Sequence, residues 1–356
     1  MRKSSIFNNW TELKLSQFKY KLPKNLIAKT PKIPRDSCKL MVVDTNTQKI
    51  ETKKFRNVIN YMNEGDVLVL NDSKVFPARL FGVKEKTNAK IEVFLLRQLS
   101  SAENTWDVVV DPARKVRIGN RIYFTKNLYC EIIDNTTSRG RIVRFNVKED
   151  FAKWIDKLGK TPLPPYIKRE SDERDREYYQ TVYAKKVGSV SAPAAGIHFT
   201  KELLSSIKKK GVKIAFITLH IGLGTFRTVE VEDLSKHKMD SEYYEISKES
   251  CDLINEAVER KKNIIAVGTS VVRALESSII TGRKVRPNAG WTDKFIHPPQ
   301  TLSVVNRLIT NFHPSQSTHL MLVCSLADRD LIMRAYNKAV KEKYRFLAYG
   351  DAMLII

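Results

Sequence analysis

Three histidines are the side chains best suited to acid–base chemistry in this chain, because each stands in a segment that mixes small, polar and strand-like apolar residues. They are His198 in GSVSAPAAGIHFT, His220 in LHIGLGTFR and His313 in TNFHPSQST. Imidazole titrates nearest neutral pH, so each histidine is a candidate for proton transfer. A hydrogen-bonded structural histidine is the alternative for each of them.

The small residues that precede His198 predict a close approach to the backbone. Glycine, serine and alanine fill the run, and Pro193 stiffens the loop. A flat base or a ribose is therefore expected to press against backbone amides near Ala194 and Gly196. The alternative is a tight turn that packs against a neighbouring helix.

The common fingerprints of nucleotide, ester and metal chemistry are missing from the sequence. Gly222 and Gly224 lack the third glycine of a dinucleotide-binding turn, and the sequence contains no GxxxxGK[ST], GxSxG or HExxH motif. His237 and Asp240 are spaced to share a helical face, but an isolated pair is a weak metal signal. We therefore predict no bound metal.

Two patterns of secondary structure position these segments. From about Asp66 to Val147, short alternating or apolar runs are separated by turn residues, which predicts a small barrel or sandwich. Beyond it, helical segments such as FAKWIDKL alternate with buried strands such as KNIIAVGTS, which predicts an α/β fold. We predict an α/β catalytic domain over residues 1–65 and 158–356, interrupted by an inserted antiparallel β-barrel domain over residues 66–157.

The composition favours an intracellular protein that meets polyanions. The 356 residues include 62 lysines and arginines against 39 aspartates and glutamates, a formal charge of +23. Such a surface attracts nucleic acid, although a lysine-rich proteome also gives ordinary enzymes a basic balance. No window reads as a signal peptide or membrane span, so we expect a cytoplasmic location. The four cysteines are widely spaced, which predicts reduced, buried thiols.

Several motifs that lie far apart in the chain together resemble one family. They are LNDSKVFPARLFG, GSVSAPAAGIHFT, LHIGLGTFR, AVGTSVVRALES, TNFHPSQST and the terminal YGDAMLI. On these motifs the chain resembles the S-adenosylmethionine:tRNA ribosyltransferase-isomerases of queuosine biosynthesis, over nearly its whole length from Leu15. The resemblance implies an α/β domain with a small β-barrel.

The resemblance also implies a reaction and its partners. The ribosyl part of S-adenosylmethionine moves onto 7-aminomethyl-7-deazaguanine at the wobble position of a tRNA, which gives epoxyqueuosine, adenine and methionine. S-Adenosylmethionine is then a cosubstrate, and no cofactor is expected. The partners are the cosubstrate and the precursor tRNA, with no membrane, and a monomer is expected.

This reaction needs acid–base groups that the motifs supply. The sulfonium acidifies the neighbouring 5′ carbon, so a base there, a proton donor to adenine and an unprotonated amine are required. The candidate catalytic residues are His198, His220, His313, Asp72 and Asp351. For the two carboxylates the alternatives are a turn cap and a stabilised chain end.

Other motif residues are candidates for binding the cosubstrate. Arg79 and Arg273 are expected to hold the methionine carboxylate through a two-point contact that lysine cannot reproduce; a structural salt bridge is the alternative. Aromatic rings beside the motifs are expected to face the sulfonium or stack on the base, unless they are core. These rings belong to Phe199, Phe312, Trp291 and Tyr349. The remaining candidates are Gly196, Gly222, Gly224, Thr269, Asn311 and Thr318.

Barrel loops are expected to present cations to RNA phosphates, with a solvated charged face as the alternative. The predicted RNA-binding residues are Arg114, Lys115, Arg117, Arg121, Arg139 and Arg141.

Two other functions stay open. The chain departs from the common family pattern at Asp240, Val271, Pro314 and His319, which leaves a catalytically silent RNA-binding paralogue as one alternative. An S-adenosylmethionine-dependent methyltransferase is the other, although the glycine-rich turn expected of that class is missing.

Overall fold

The structure is a computed structural model that describes residues 13–136, 140–147 and 150–356. The strands of these residues are β1 (Lys39–Val43), β2 (Ile50–Lys54), β3 (Val67–Asn71), β4 (Ser73–Val75), β5 (Arg79–Lys84), β6 (Lys90–Ser100), β7 (Thr105–Asp111), β8 (Arg121–Tyr123), β9 (Tyr129–Asn135), β10 (Arg141–Phe145), β11 (Lys186–Ser189), β12 (Lys213–Leu219), β13 (Glu242–Ile246), β14 (Ile264–Val267), β15 (Ile279–Ile280), β16 (Lys284–Val285), β17 (Asn288–Thr292), β18 (Arg307–Asn311) and β19 (Ala352–Ile355). The α-helices are α1 (Phe151–Leu158), α2 (Asp175–Tyr178), α3 (Lys201–Lys209), α4 (Lys248–Glu259), α5 (Thr269–Ser277), α6 (Thr318–Leu326) and α7 (Arg329–Lys341).

A mixed sheet carries the motif segments to one edge. Its order is β17-β13-β12-β3-β14-β18-β19-β1-β2. The neighbours β12, β3, β14 and β18 run parallel, and β19 runs antiparallel to β18 with Asn311 opposite Ala352. The carboxyl ends of the four parallel strands and the start of β19 therefore lie at the same edge, the usual place for a ligand site in an open α/β sheet.

Both faces of this sheet are covered, which explains its apolar strands. In β3, Leu68 and Leu70 point to the face that packs on α3, whereas Val67 and Val69 point to the face that packs on α4 to α7. Side chains alternate across a strand, so a strand that is buried on both sides reads as a continuous apolar run.

Six strands form a closed antiparallel barrel in the order β10-β7-β6-β5-β8-β9. Its core includes Leu80, Val93, Val108 and Ile132, which alternate with more exposed residues along their strands. The fold class predicted from the sequence, an α/β protein with a small antiparallel barrel, is confirmed.

The predicted barrel segment starts too early, at residue 66. The run DVLVLND falls within the predicted barrel segment, but its strand Val67–Asn71 pairs with β12 and β14 in the centre of the mixed sheet. All five residues of this strand are buried, as expected of a central parallel strand and unlike the half-buried barrel strands. The barrel strands run from Arg79 to Phe145; a separately folding barrel domain stays a prediction.

The helix predicted at FAKWIDKL is α1. The segment DRDLIMRAYNKAVKEKY, which also has helical spacing, contains α7. FRNVINYMNEG, which has a helical pattern, forms the 3₁₀ helix Phe55–Tyr61. None of the helices in the described ranges combines the length and the apolar character needed to cross a bilayer.

Candidate active site

Two adjoining cavities lie at the carboxyl edge of the parallel strands. The narrow cavity, of about 120 Å³, is enclosed by residues 191–195 and by the segments that follow β12, β14 and β18. The wide cleft, of about 1110 Å³, lies between the barrel and the mixed sheet. Ile221, Asp240 and Glu242 line both, so the two spaces meet at these residues.

Many of the predicted site residues line one of these spaces. Those around the narrow cavity are Gly224, Thr269, Arg273, Asn311, His313 and Thr318. Those around the wide cleft are His220, Gly222 and Trp291. Residues from motifs far apart in sequence are thus brought together, because each motif begins or ends at the same edge of the sheet.

Of the three candidate histidines, His313 lines the narrow cavity, as does its neighbour His319. Its Nε2 lies 2.7 Å from Thr310 Oγ1, and its ring stacks on that of His319 at 5.1 Å between centroids. Its backbone N–H donates to the Tyr336 hydroxyl. Burial, together with the neighbouring His319, lowers the pKa of His313 well below the ordinary value. The imidazole is therefore neutral at physiological pH.

His220 lies in the wide cleft. Its Nδ1 is 2.9 Å from Ser73 Oγ, and its backbone N–H donates to the carbonyl of Tyr243. Gly188 packs its backbone so closely on the ring that a Cβ there would lie 2.7 Å from His220 Nε2. Burial lowers the pKa of His220, with Asp72 opposing the shift. This imidazole is also neutral and faces the larger space.

His198, the third candidate, lines neither cavity. Its Nδ1 lies 3.2 Å from Cys38 Sγ and its Nε2 lies 3.1 Å from Asn311 Nδ2. The ring packs on Phe55 at 5.0 Å. Burial lowers the pKa of His198 to about 3. The side chain stands behind Asn311, which does line the narrow cavity, so its geometry suits positioning of Asn311.

Arg273 and Glu242 form a buried ion pair between the two spaces. Arg273 Nη1 donates to Glu242 Oε2, while its Nε and Nη2 donate to the carbonyls of Lys294 and Thr292, each at 3.1 Å. The other carboxylate oxygen of Glu242 accepts from the backbone N–H of Gly222 at 2.7 Å. The arginine charge is thus already matched by Glu242, and the pair fixes the loop that begins at Gly222.

Asp72 and Asp351 are both occupied by protein groups. Asp72 Oδ1 accepts from the Thr218 hydroxyl at 2.6 Å. Asp351 accepts from the backbone N–H of Lys39 at 2.9 Å and of Arg345 at 2.8 Å, and burial raises its pKa. Neither carboxylate lines either cavity, so the alternatives of a capped turn and a tied chain end match the contacts.

Four predicted binding residues also lie away from both cavities. Arg79 pairs with Glu92 on the barrel. Tyr349 donates to the Asp175 carboxylate at 3.1 Å. Phe199, like Phe312, is fully buried in the core.

The neighbour that approaches Gly196 is a protein side chain. A Cβ at Gly196 would lie 2.0 Å from the Tyr183 hydroxyl oxygen. The small residues that line the narrow cavity are instead Ser191, Ala192, Ala194 and Ala195, together with Pro193. The predicted approach of a ligand to this backbone stays a prediction, but it concerns residues 191–195.

Five of the six predicted RNA-binding cations are described, and they stand on the barrel, away from both cavities. Arg114, Lys115 and Arg117 are exposed; Arg121 lies 3.5 Å from Glu131 and Arg141 donates to its neighbour's carbonyl. Arg139 lies outside the described residues. Their role in RNA binding stays a prediction.

Several residues of the narrow cavity lie outside the predicted set. Glu242 is the clearest case, because the sequence contains an indication of its burial. It lies on the same strand face as Tyr244 and Ile246, so a carboxylate occupies a position where core residues are expected. Tyr166 and Phe226, whose rings meet edge to face at 6.3 Å, also line the cavity. They gave no signal beyond being aromatic.

His237 and Asp240, the weak metal signal of the sequence, each contact other protein groups. Asp240 accepts from Arg227 at 2.9 Å, and His237 packs on Phe295. Over the ranges that the structure describes, no cluster of three or more histidine, cysteine, aspartate or glutamate side chains is arranged to hold a metal.

Known proteins resemble this chain over almost its whole length. A family model described as "Queuosine biosynthesis protein" matches residues 15–355. An S-adenosylmethionine:tRNA ribosyltransferase-isomerase of Chloroherpeton thalassium is 54% identical over 96% of this chain and 100% of its own length, and one of Cytophaga hutchinsonii is 52% identical over 97% and 100%.

A solved structure is also similar to this chain in sequence and fold. The S-adenosylmethionine tRNA ribosyltransferase of Thermotoga maritima is 36% identical, covers 96% of this chain and 100% of its own, and superimposes with a TM-score of 0.55.

Proposed function

Because this chain belongs to the family of queuosine biosynthesis proteins, we propose that it is an S-adenosylmethionine:tRNA ribosyltransferase-isomerase. It transfers the ribosyl part of S-adenosylmethionine to 7-aminomethyl-7-deazaguanine at the tRNA wobble position, forming epoxyqueuosine and releasing adenine and methionine. The observation that carries the proposal is the convergence of four of the six family motifs on one narrow cavity, which meets a wide cleft lined by a fifth. Neither alternative function has support in the comparisons.

The cosubstrate is assigned to the narrow cavity. Its rings Tyr166 and Phe226 suit a sulfonium cation, because aromatic faces attract cations. At about 120 Å³ the cavity is smaller than the roughly 300–1,000 Å³ of ordinary ligand pockets. S-Adenosylmethionine must therefore extend through the junction at Glu242 into the wide cleft, or the walls must separate when it binds.

The two candidate histidines that line the cavities have different proposed tasks. His313, neutral and inside the narrow cavity, takes the proton from the acidified 5′ carbon. His220, neutral and in the wide cleft, keeps the attacking amine of the incoming base unprotonated. His198 acts through Asn311 rather than on the substrates. We further propose a cytoplasmic monomer with no cofactor besides its cosubstrate.

The test uses S-adenosylmethionine carrying a label either in the ribose or in the methyl group. Precursor tRNA is incubated with each, digested, and its nucleosides are analysed by mass while adenine is measured separately. The ribose label should enter the tRNA with equimolar adenine, and the methyl label should not. Methyl transfer would favour the methyltransferase, and RNA binding without adenine release would favour the silent paralogue.

A further inference from the structure

Trp291 is a large aromatic residue left open in the wide cleft. It lies on β17, the edge strand of the mixed sheet, and its side chain is 53% exposed. Tyr243 on β13 is its directly opposite partner, so both rings stand on the same face of the sheet. They meet edge to face at 5.8 Å between centroids. Core packing therefore leaves much of the indole available.

This pair belongs to a longer row of flat groups, which we call the stacking row: His220, Tyr243, Trp291 and Arg97. The His220 ring stacks on Tyr243 at 5.9 Å with 21° between the planes. Arg97 comes from the barrel and places its guanidinium over the indole at 5.0 Å. All four line the wide cleft. The row thus runs from a barrel strand across the cleft to the residue before Ile221, where the narrow cavity begins.

The size and charge of the cleft fit a polyanion larger than an ordinary ligand. Its volume of about 1110 Å³ exceeds the roughly 300–1,000 Å³ of small-molecule pockets. Among the residues that the structure describes, each carboxylate that lines the cleft lies within 4.0 Å of a basic side chain, so these acidic groups are compensated. Lys74 lines the cleft, is exposed, and makes no ion pair within the described ranges. A net charge of +23 attracts such a ligand from a distance.

We propose that the stacking row is a platform for unpaired tRNA nucleotides that flank the base entering the narrow cavity. Arg97 covers one face of the Trp291 indole, so a nucleobase takes the other face, and Lys74 contacts a phosphate. Stacking on aromatic rings is how proteins hold single-stranded RNA, whose bases are free to splay outward. This proposal rests on the proposed function for the identity of its RNA.

The test compares matched aromatic–cation pairs. Phe81 on the barrel is 51% exposed and carries Lys160 over its ring at 5.2 Å, but it lines neither cavity. Trp291→Ala, Trp291→Phe and Phe81→Ala are compared with the unsubstituted protein in direct binding to precursor tRNA and to S-adenosylmethionine, with thermal unfolding as the folding control.

Trp291→Ala should weaken tRNA binding about tenfold, which corresponds to about 1.4 kcal/mol and lies within the range for one lost base stack. Trp291→Phe should lose less, because it keeps an aromatic face. Phe81→Ala should bind tRNA like the unsubstituted protein. Affinity for S-adenosylmethionine should be unchanged in all three variants, since neither Trp291 nor Phe81 lines the narrow cavity or belongs to the junction of Ile221, Asp240 and Glu242 through which the cosubstrate would extend.

Equal tRNA affinity in Trp291→Ala and Phe81→Ala would overturn the platform. So would loss of S-adenosylmethionine binding in Trp291→Ala, which would give Trp291 a structural role. Polyglutamate and unpaired RNA are also compared as competitors of tRNA. Equal displacement of tRNA by the two would show that the cleft selects charge rather than bases. Binding is measured without turnover, so absent adenine release in the unsubstituted enzyme would refute the proposed function while the platform is still tested.

Discussion

Replacing His198 should change how acid affects stability. The folded protein holds this imidazole neutral because burial lowers its pKa to about 3, whereas an unfolded histidine has a pKa near 6.5. Between those values the unfolded chain binds a proton at His198 and the folded chain does not. The contribution of the neutral imidazole to the free energy of unfolding is therefore complete above about pH 6.5 and is lost as pH falls toward 3. On going from pH 7 to pH 5, the free energy of unfolding falls by about 2 kcal/mol through this histidine.

The assay is urea unfolding of the unsubstituted protein and of His198→Gln at both pH values. Glutamine does not titrate, so the variant should lose about 2 kcal/mol less on going from pH 7 to pH 5. His237→Gln is the matched control: burial also lowers the pKa of His237, but the residue is only half-buried, and a smaller difference is expected. Identical pH dependence in His198→Gln and the unsubstituted protein would refute the neutral, buried imidazole.

Two further substitutions test the geometry of the site. Gly188→Ala places a Cβ 2.7 Å from the His220 ring and should abolish turnover. Gly119→Ala is the control, because Gly119 also has a positive φ but its Cβ would have no atom within 4 Å, so it shares only the backbone strain of about 1–3 kcal/mol. Equal turnover in both variants would contradict the role of His220. Arg273→Met leaves the Glu242 carboxylate buried without its ion-pair partner and should lower the free energy of unfolding by about 3–5 kcal/mol, as measured by chemical unfolding. Adding Glu242→Leu to the same chain should restore part of that stability. A decrease no larger than that for a surface ion pair would contradict the buried pair.

The fold was largely predictable because hydrophobic periodicity records burial. The half-buried barrel strands alternate, and α1 and α7 have helical spacing, so both patterns were visible. Residues 67–71 were misassigned for a physical reason. A fully buried run reveals that both faces are covered, but not which strands pair with it.

The cavity was predictable only at the level of segments. Four of the six motifs meet at the narrow cavity, because strand ends share an edge, yet the direction of each side chain depends on tertiary contacts. Asp351 and Tyr349 sit in a motif but are hydrogen-bonded to protein groups. Glu242, outside the predicted motifs, lines both spaces.

Hydrogen–deuterium exchange with and without S-adenosylmethionine tests whether segments from four strand ends form one cosubstrate site. We expect slower exchange in the cosubstrate's presence in residues 191–195, 222–226, 268–273 and 310–319 together, and no change in the barrel strand 79–84. Protection confined to one of these segments, or centred on the barrel, would contradict it.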